Sequence, residues 1–152
     1  MRFPMFVELE GKRVVVAGAG TIGTRRIRVL AEFGASVLVV APEISDEVRS
    51  LWQAGKIQCE LRPVEKQDME PAYLVVAAAD KREINHQVYE WCSEAGILVN
   101  VADKKEECSF YFPGIAKKGS LVAGICAGGE NHRLARQAAE EIRELWKEKA
   151  GV

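Results

Sequence analysis

The strongest chemical signal in the chain is Gly18-Ala19-Gly20-Thr21-Ile22-Gly23. A strand-like run, Val14-Val15-Val16-Ala17, leads into it, and a helical pattern follows. In that setting each glycine has a separate purpose. Gly18 permits a tight turn, Gly20 lets the backbone approach a pyrophosphate, and Gly23 lets the helix pack closely on the strand. The helix start offers free N–H groups and a partial positive charge to phosphates. A packing turn without ligand is the plainer reading of the same glycines. An acid belongs near the end of the second strand, where adenosine ribose hydroxyls would lie. That strand ends Val40-Ala41-Pro42-Glu43, and Glu43 is about 20 residues past the third glycine. Glu43 either accepts from the ribose, favouring NAD over NADP, or sits in the first turn of the next helix. Arg25 and Arg26 either meet a 2′-phosphate or are solvated.

Asp103 is the second chemical candidate. It follows the apolar run Ile97-Leu98-Val99-Asn100-Val101, which would place it at the carboxyl edge of a sheet, where ligands of open α/β sheets bind. A carboxylate there can accept a proton or orient a substrate nitrogen. Against this, Asp103-Lys104-Lys105-Glu106-Glu107 also reads as a polar loop. His86 and His132 are the only histidines and are far apart. Cys59, Cys92, Cys108 and Cys126 form no CxxC pair, so they read as reduced structural thiols rather than zinc ligands, and no metal is expected.

These residues need a scaffold, and the apolar pattern supplies one. Short runs at 14–17, 36–41, 73–77 and 97–101 are continuous, as in a parallel sheet covered on both faces, and 57–61 is a weaker, alternating run. Helical patterns lie between them. Residues 21–33 carry Ile22, Val29, Leu30 and Phe33 on one stripe. Residues 45–54 turn Val48, Leu51 and Trp52 inward, and residues 82–95 carry Ile84, Val88, Trp91 and Cys92. Gly34, Gly55 and Gly96 follow as stops. The order predicts a doubly wound, Rossmann-like α/β fold over residues 1–105. Beyond it, strands at 109–113 and 121–125 flank a turn at 117–120. A last helix at 132–147 carries Leu134, Ala138, Ile142 and Leu145. A two-stranded ribbon is marginal alone. Residues 106–152 are therefore expected to form a homodimerisation region.

The chain has 152 residues, 48% of them hydrophobic, enough for a core. Its 21 basic and 22 acidic side chains leave a net charge of -1, which argues against nucleic-acid binding. No apolar run reaches the roughly 18 residues of a membrane span, and Met1-Arg2-Phe3-Pro4 does not read as a signal peptide. A cytoplasmic protein is expected.

The glycine motif does not stand alone. Phe3-Pro4-Met5-Phe6 and Leu9-Glu10-Gly11-Lys12 precede it, and Arg25-Arg26 follow. Then come Ala77-Ala78-Ala79-Asp80 with Asn85, Asn100-Val101-Ala102-Asp103, Ser109-Phe110, Pro113, Gly128-Gly129 and Leu134-Ala135-Arg136. Together, from about residue 3 to 142, they resemble precorrin-2 dehydrogenase, the dehydrogenase module of siroheme synthases. The resemblance implies NAD-dependent oxidation of precorrin-2 to sirohydrochlorin, toward siroheme or cobalamin, by a dimer. It implies that Asp103 is tied to catalysis. It also implies cofactor contacts from the glycine turn, at Thr21 and Ile22, and from Pro42, Glu43 and Ala79. The tetrapyrrole substrate carries many carboxylates, which Lys104, Lys105, Arg133 and Arg136 would meet, assisted by Asn100 and Ser109.

Some members of the family also insert a metal into the product. Where members commonly read Ser-Ser-Gly-Gly-x-Ser-Pro, this chain reads Cys126-Ala127-Gly128-Gly129-Glu130-Asn131-His132. Single-function members usually carry a further helical region, so the chain reads as a short form whose site a separate chelatase or helical partner completes. Two other functions fit the residues less fully: a non-catalytic NAD(H)-sensing module, and a chelatase acting on sirohydrochlorin.

Overall fold

The computed structural model describes residues 1–148. Five valine-rich segments form a parallel sheet: β1 (Arg13–Ala17), β2 (Ser36–Val40), β3 (Gln58–Glu60), β4 (Leu74–Ala77) and β5 (Leu98–Val101). Their order is β3-β2-β1-β4-β5. All four pairings are parallel. Val14, Val15, Val16, Val39, Val75 and Val76 are fully buried, the result of covering the sheet on both faces. The helices α1 (Thr21–Glu32), α2 (Asp46–Gln53) and α3 (Arg82–Ala95) make the crossovers. This is the doubly wound α/β fold that the sequence predicts. Strand order reverses between β1 and β4, and the crevice at such a reversal is where these folds bind ligands.

The helices depart from expectation in detail. The core of α1 is Gly23, Thr24, Ile27 and Leu30. Ile22, expected inside, is exposed, because Gly23 and Thr24 take the inward positions of the first turn. Trp52 on α2 is likewise exposed rather than inward; Val48 makes the buried contact. Ser45 caps α2 by accepting from Val48 N–H at 3.2 Å. Gly96 closes α3 in the left-handed conformation, φ 67°. A short 3-10 turn, Lys66–Met69, buries Asp68. Both oxygens of Asp68 accept from Arg62, at 2.6 and 2.8 Å. Those bonds hold its pKa below the ordinary carboxylate value against the opposing effect of burial.

Contacts divide the chain into two compact units, Val7–Phe110 and a second made of Met1–Phe6 with the chain from Tyr111 onward. The break thus follows Phe110 rather than residue 105, and residues 149–152 of the expected second region lie outside the described residues. In the second unit, β6 (Gly114–Lys118) pairs antiparallel with β7 (Leu121–Ile125). The first strand therefore lies later than the expected 109–113. Lys118 faces Leu121 across Gly119-Ser120, and Gly119 has φ 58°. A two-residue turn of that kind fixes the register.

The last helix, α4 (His132–Glu148), buries Ala135 and Ala139 rather than the expected leucine stripe. A Cβ on Gly114 would lie 2.6 Å from the Ala135 carbonyl oxygen, so helix and hairpin meet too closely for larger side chains. Leu134 and Leu145 remain exposed. Among the described residues, no helix is long and apolar enough to cross a membrane.

Candidate active site

The glycine turn is stitched into the reversal point of the sheet. Gly18 N–H donates to the Val40 carbonyl at 3.1 Å, and Ala78 N–H donates to that of Ala17 at 2.8 Å. Gly18 has φ 101°, and a Cβ there would lie 2.3 Å from the Ala78 carbonyl oxygen. A Cβ on Gly23 would lie 2.6 Å from that of Gly18. The protein itself demands glycine at both positions. Gly20 differs. Its backbone is extended, φ -75°, and the nearest atom to a Cβ there is Asp80 Oδ1 at 3.4 Å. The fold has room for a side chain at Gly20, and that room is what a close-lying pyrophosphate needs.

The start of α1 has no side-chain cap and no acid in its first turn, so its leading N–H groups keep their donor capacity. Thr21 and Ile22 are both exposed there. Thr24 braces the turn: its Oγ1 donates to the Ala19 carbonyl at 3.2 Å and lies 2.9 Å from Ser45 Oγ. Through Ser45 the glycine turn is tied to the loop after β2. Pro42 and Glu43 are exposed in that loop, ahead of the Ser45 cap. Glu43 is therefore not in the first turn of α2; Asp46 and Glu47 hold that place.

Beyond β4 the chain turns through Ala78, Ala79 and Asp80. Asn85, fully buried on α3, holds both polar groups of Ala79. It accepts from the N–H at 2.9 Å and donates to the carbonyl at 3.0 Å. Ala79, an expected cofactor contact, thus has its backbone polar groups engaged by the protein. Its fixed conformation positions the next residue, Asp80, beside Gly20.

Asp103 stands just past β5, on the same carboxyl rim as the glycine turn. Ala102 N–H donates to the Ala77 carbonyl at 2.9 Å, which joins this loop to the end of β4. Two strand spacings, about 10 Å in the sheet, separate the ends of β1 and β5. The Asp103 side chain is 38% exposed, and Oδ1 accepts from Arg82 Nη1 at 2.7 Å. Arg82 also pairs through Nη2 with Glu107 Oε1, and His86 Nδ1 lies 2.9 Å from that oxygen. Burial opposes ionisation of Glu107, but the bonds from Arg82 and His86 outweigh it and hold its pKa below the ordinary value.

The expected substrate residues divide. Asn100 is buried and its amide is engaged inside the protein. Oδ1 accepts from Arg26 Nη1 at 2.5 Å, and Nδ2 donates to the Phe110 carbonyl at 2.9 Å. Arg26 is accordingly not a surface cation; burial lowers its pKa to about 10, with Arg25 adding to the effect and Cys108 opposing it. Ser109 Oγ accepts from Val99 N–H at 2.7 Å and so closes the open edge of β5. Lys104 and Lys105 are exposed beside Asp103. Arg136 and Arg133 are exposed on α4, in the other unit. Among the described residues, no group of three or more His, Cys, Asp or Glu is placed to hold a metal ion.

Residues 5–114 match the family model described as putative NAD(P)-binding. The chain belongs to this family. It is 42% identical over 145 residues to a probable multifunctional siroheme biosynthesis protein HemA of Ruminiclostridium josui, covering 95% of this chain and 28% of that protein. It is 36% identical over 142 residues to a siroheme synthase of Photorhabdus laumondii, covering 93% and 30%. The chain thus spans under a third of the length of these relatives. Among solved structures it is similar to SirC, precorrin-2 dehydrogenase, with a TM-score of 0.79 and 26% identity, over 94% of this chain and 70% of that one. That likeness agrees with the sheet, the added hairpin and the last helix described above.

Sequence reasoning missed Arg82, Thr24 and Ser45. Thr24 and Ser45 are ordinary helix-start residues in the sequence, and nothing there shows that they meet. Arg82 stands at the beginning of a helical pattern, where a cation is uninformative until the loop after β5 is seen against it.

Proposed function

We propose that this chain catalyses the NAD-dependent dehydrogenation of precorrin-2 to sirohydrochlorin. The observation that carries the reading is the placement of the glycine turn and Asp103 on one rim of the sheet, two strands apart. The similarity to a precorrin-2 dehydrogenase and to siroheme synthases supplies the substrate class. The oxidation removes a hydride from a saturated macrocycle carbon and a proton from a neighbouring position. A bound nicotinamide supplies the hydride acceptor. The leading N–H groups of α1 hold the pyrophosphate, and Gly20 leaves it space. Glu43 accepts from the ribose hydroxyls, which favours NAD over NADP. Asp103 takes the proton or orients a pyrrole nitrogen.

Lys104 and Lys105, exposed beside Asp103, supply positive charge for the substrate carboxylates. Asn100 and Ser109 serve the same chemistry by shaping the strand and loop that carry Asp103. We further propose a homodimer in the cytoplasm. Exposed Leu134, Leu145 and Leu121 with Phe3, Met5 and Phe6 give the second unit an apolar surface for a second copy. The four cysteines, none of them in a CxxC pair, fit the expectation of reduced thiols.

The test is an absorbance time course with purified protein, precorrin-2 and NAD. The expected result is the sirohydrochlorin spectrum with matching NADH formation. Tight NADH binding without turnover would replace the enzyme by a dinucleotide-sensing module. Metal insertion that persists after disabling substitutions at Gly20 would replace it by a chelatase.

A further inference from the structure

We propose that Arg82 is a positioning residue for Asp103. Anchored by Glu107, it fixes one carboxylate oxygen and leaves the other for the substrate. The inference rests on the dehydrogenase reading and extends it to a residue outside the glycine and aspartate motifs.

The placement of Arg82 is unfavourable by itself. It is the first residue of α3, where the helix presents partial positive charge and prefers anions. Two carboxylates offset this, and both come from the segment after β5. Arg82 Nη1 donates to Asp103 Oδ1 at 2.7 Å, while Nη2 pairs with Glu107 Oε1. The planar guanidinium ties the two acceptors into one geometry, which a lysine ammonium does not do.

The anchor differs from an ordinary surface ion pair. The Glu107 side chain is only 13% exposed, and its second oxygen is buried without a hydrogen-bond partner. A carboxylate withdrawn from water in this way is costly unless a cation holds it. Arg82 and His86 share its Oε1. Glu107 therefore holds Arg82 against α3, and Arg82 holds Asp103. The rest of the segment is fixed as well. Val101 N–H donates to Cys108 Sγ at 3.1 Å, and Ser109 N–H donates to the Val99 carbonyl at 2.9 Å. Within this frame Asp103 is the exposed end of a braced chain of charges, and among the described residues no protein group engages its Oδ2.

The experiment is a double-mutant cycle on the full chain, assayed with precorrin-2 and NAD. Arg82→Gln is expected to lower kcat about tenfold or more, as misplacement of a reacting group does, with KM for NAD unchanged. In an Asp103→Asn background the same change is expected to cost nothing further, because Arg82 acts through that carboxylate. A thermal melt of each variant reports folding. Where Arg82→Gln does not fold, Glu107→Gln removes the charge of the anchor and is expected to lower kcat in the same direction, again only when Asp103 is present. Unchanged kcat in Arg82→Gln overturns the proposal, and so do losses that multiply in the double variant. Absence of turnover in the wild-type chain is a separate result, since it overturns the dehydrogenase reading and takes this inference with it.

Discussion

At the residue scale, the three glycines of the turn answer to different causes, and substitution separates them. Gly18 combines positive φ with a backbone clash; Gly20 has neither. Gly18→Ala is expected to lose about 2–3 kcal/mol of stability in a denaturant titration. Gly20→Ala is expected to fold normally and to weaken NAD binding roughly tenfold or more, measured by calorimetry. Equal stability losses in the two variants would mean that Gly20 serves packing rather than a ligand. The motif was legible in the sequence because glycine spacing records backbone geometry directly. Arg26 and Asn100 were not legible. Each reads as a surface or substrate residue, and only the crossover of α1 over the sheet brings them to 2.5 Å.

At the element scale, the loop after β4 owes its shape to one buried side chain. Asn85→Ala leaves the Ala79 N–H and carbonyl without their partner. Ala79 is half-buried, so water replaces part of what is lost; the two bonds together are worth about 1–2 kcal/mol, and urea unfolding of the variant is expected to shift by that much. A smaller shift with normal NAD affinity would show that the loop keeps its form unaided.

The turn after β3 gives a pH signature. The folded pKa of Asp68 is depressed, so its contribution is present above the unfolded value of about 3.9 and disappears as pH falls through the folded value. Asp68→Asn is expected to be less stable than wild type at pH 7, with the difference closing in melts below about pH 4. A constant difference across that range would contradict the assignment.

Most of the elements were readable because continuous apolar runs and helical stripes differ in period. The first hairpin strand and the inner face of α4 were not. The run Ser109-Phe110-Tyr111-Phe112 looks like a strand, yet Ser109 and Phe110 give their backbone groups to β5 and Asn100. The inner face of α4 is set by close approach to Gly114, which favours Ala135 and Ala139 over leucine. Hydrophobic patterning cannot register that preference.

At the scale of the whole molecule, strand and helix alternation was enough to predict the parallel sheet and its reversal, and with them the rim where the chemistry belongs. What alternation cannot show is what covers the exposed apolar side chains of the second unit. If a second copy covers them, sedimentation at micromolar concentration is expected to give twice the chain mass, and Leu134→Glu with Leu145→Glu is expected to give monomers. A monomeric wild-type chain would contradict the homodimer.

The central claim is that a dinucleotide held at the glycine turn and the carboxylate of Asp103 work on one substrate from the same rim. Titrating NAD into wild type and Asp103→Asn, then following precorrin-2 oxidation by absorbance, tests it most directly. Equal NAD affinity with a loss of turnover of roughly 100-fold or more in the variant is the predicted result. Turnover by Asp103→Asn at the wild-type rate would contradict it.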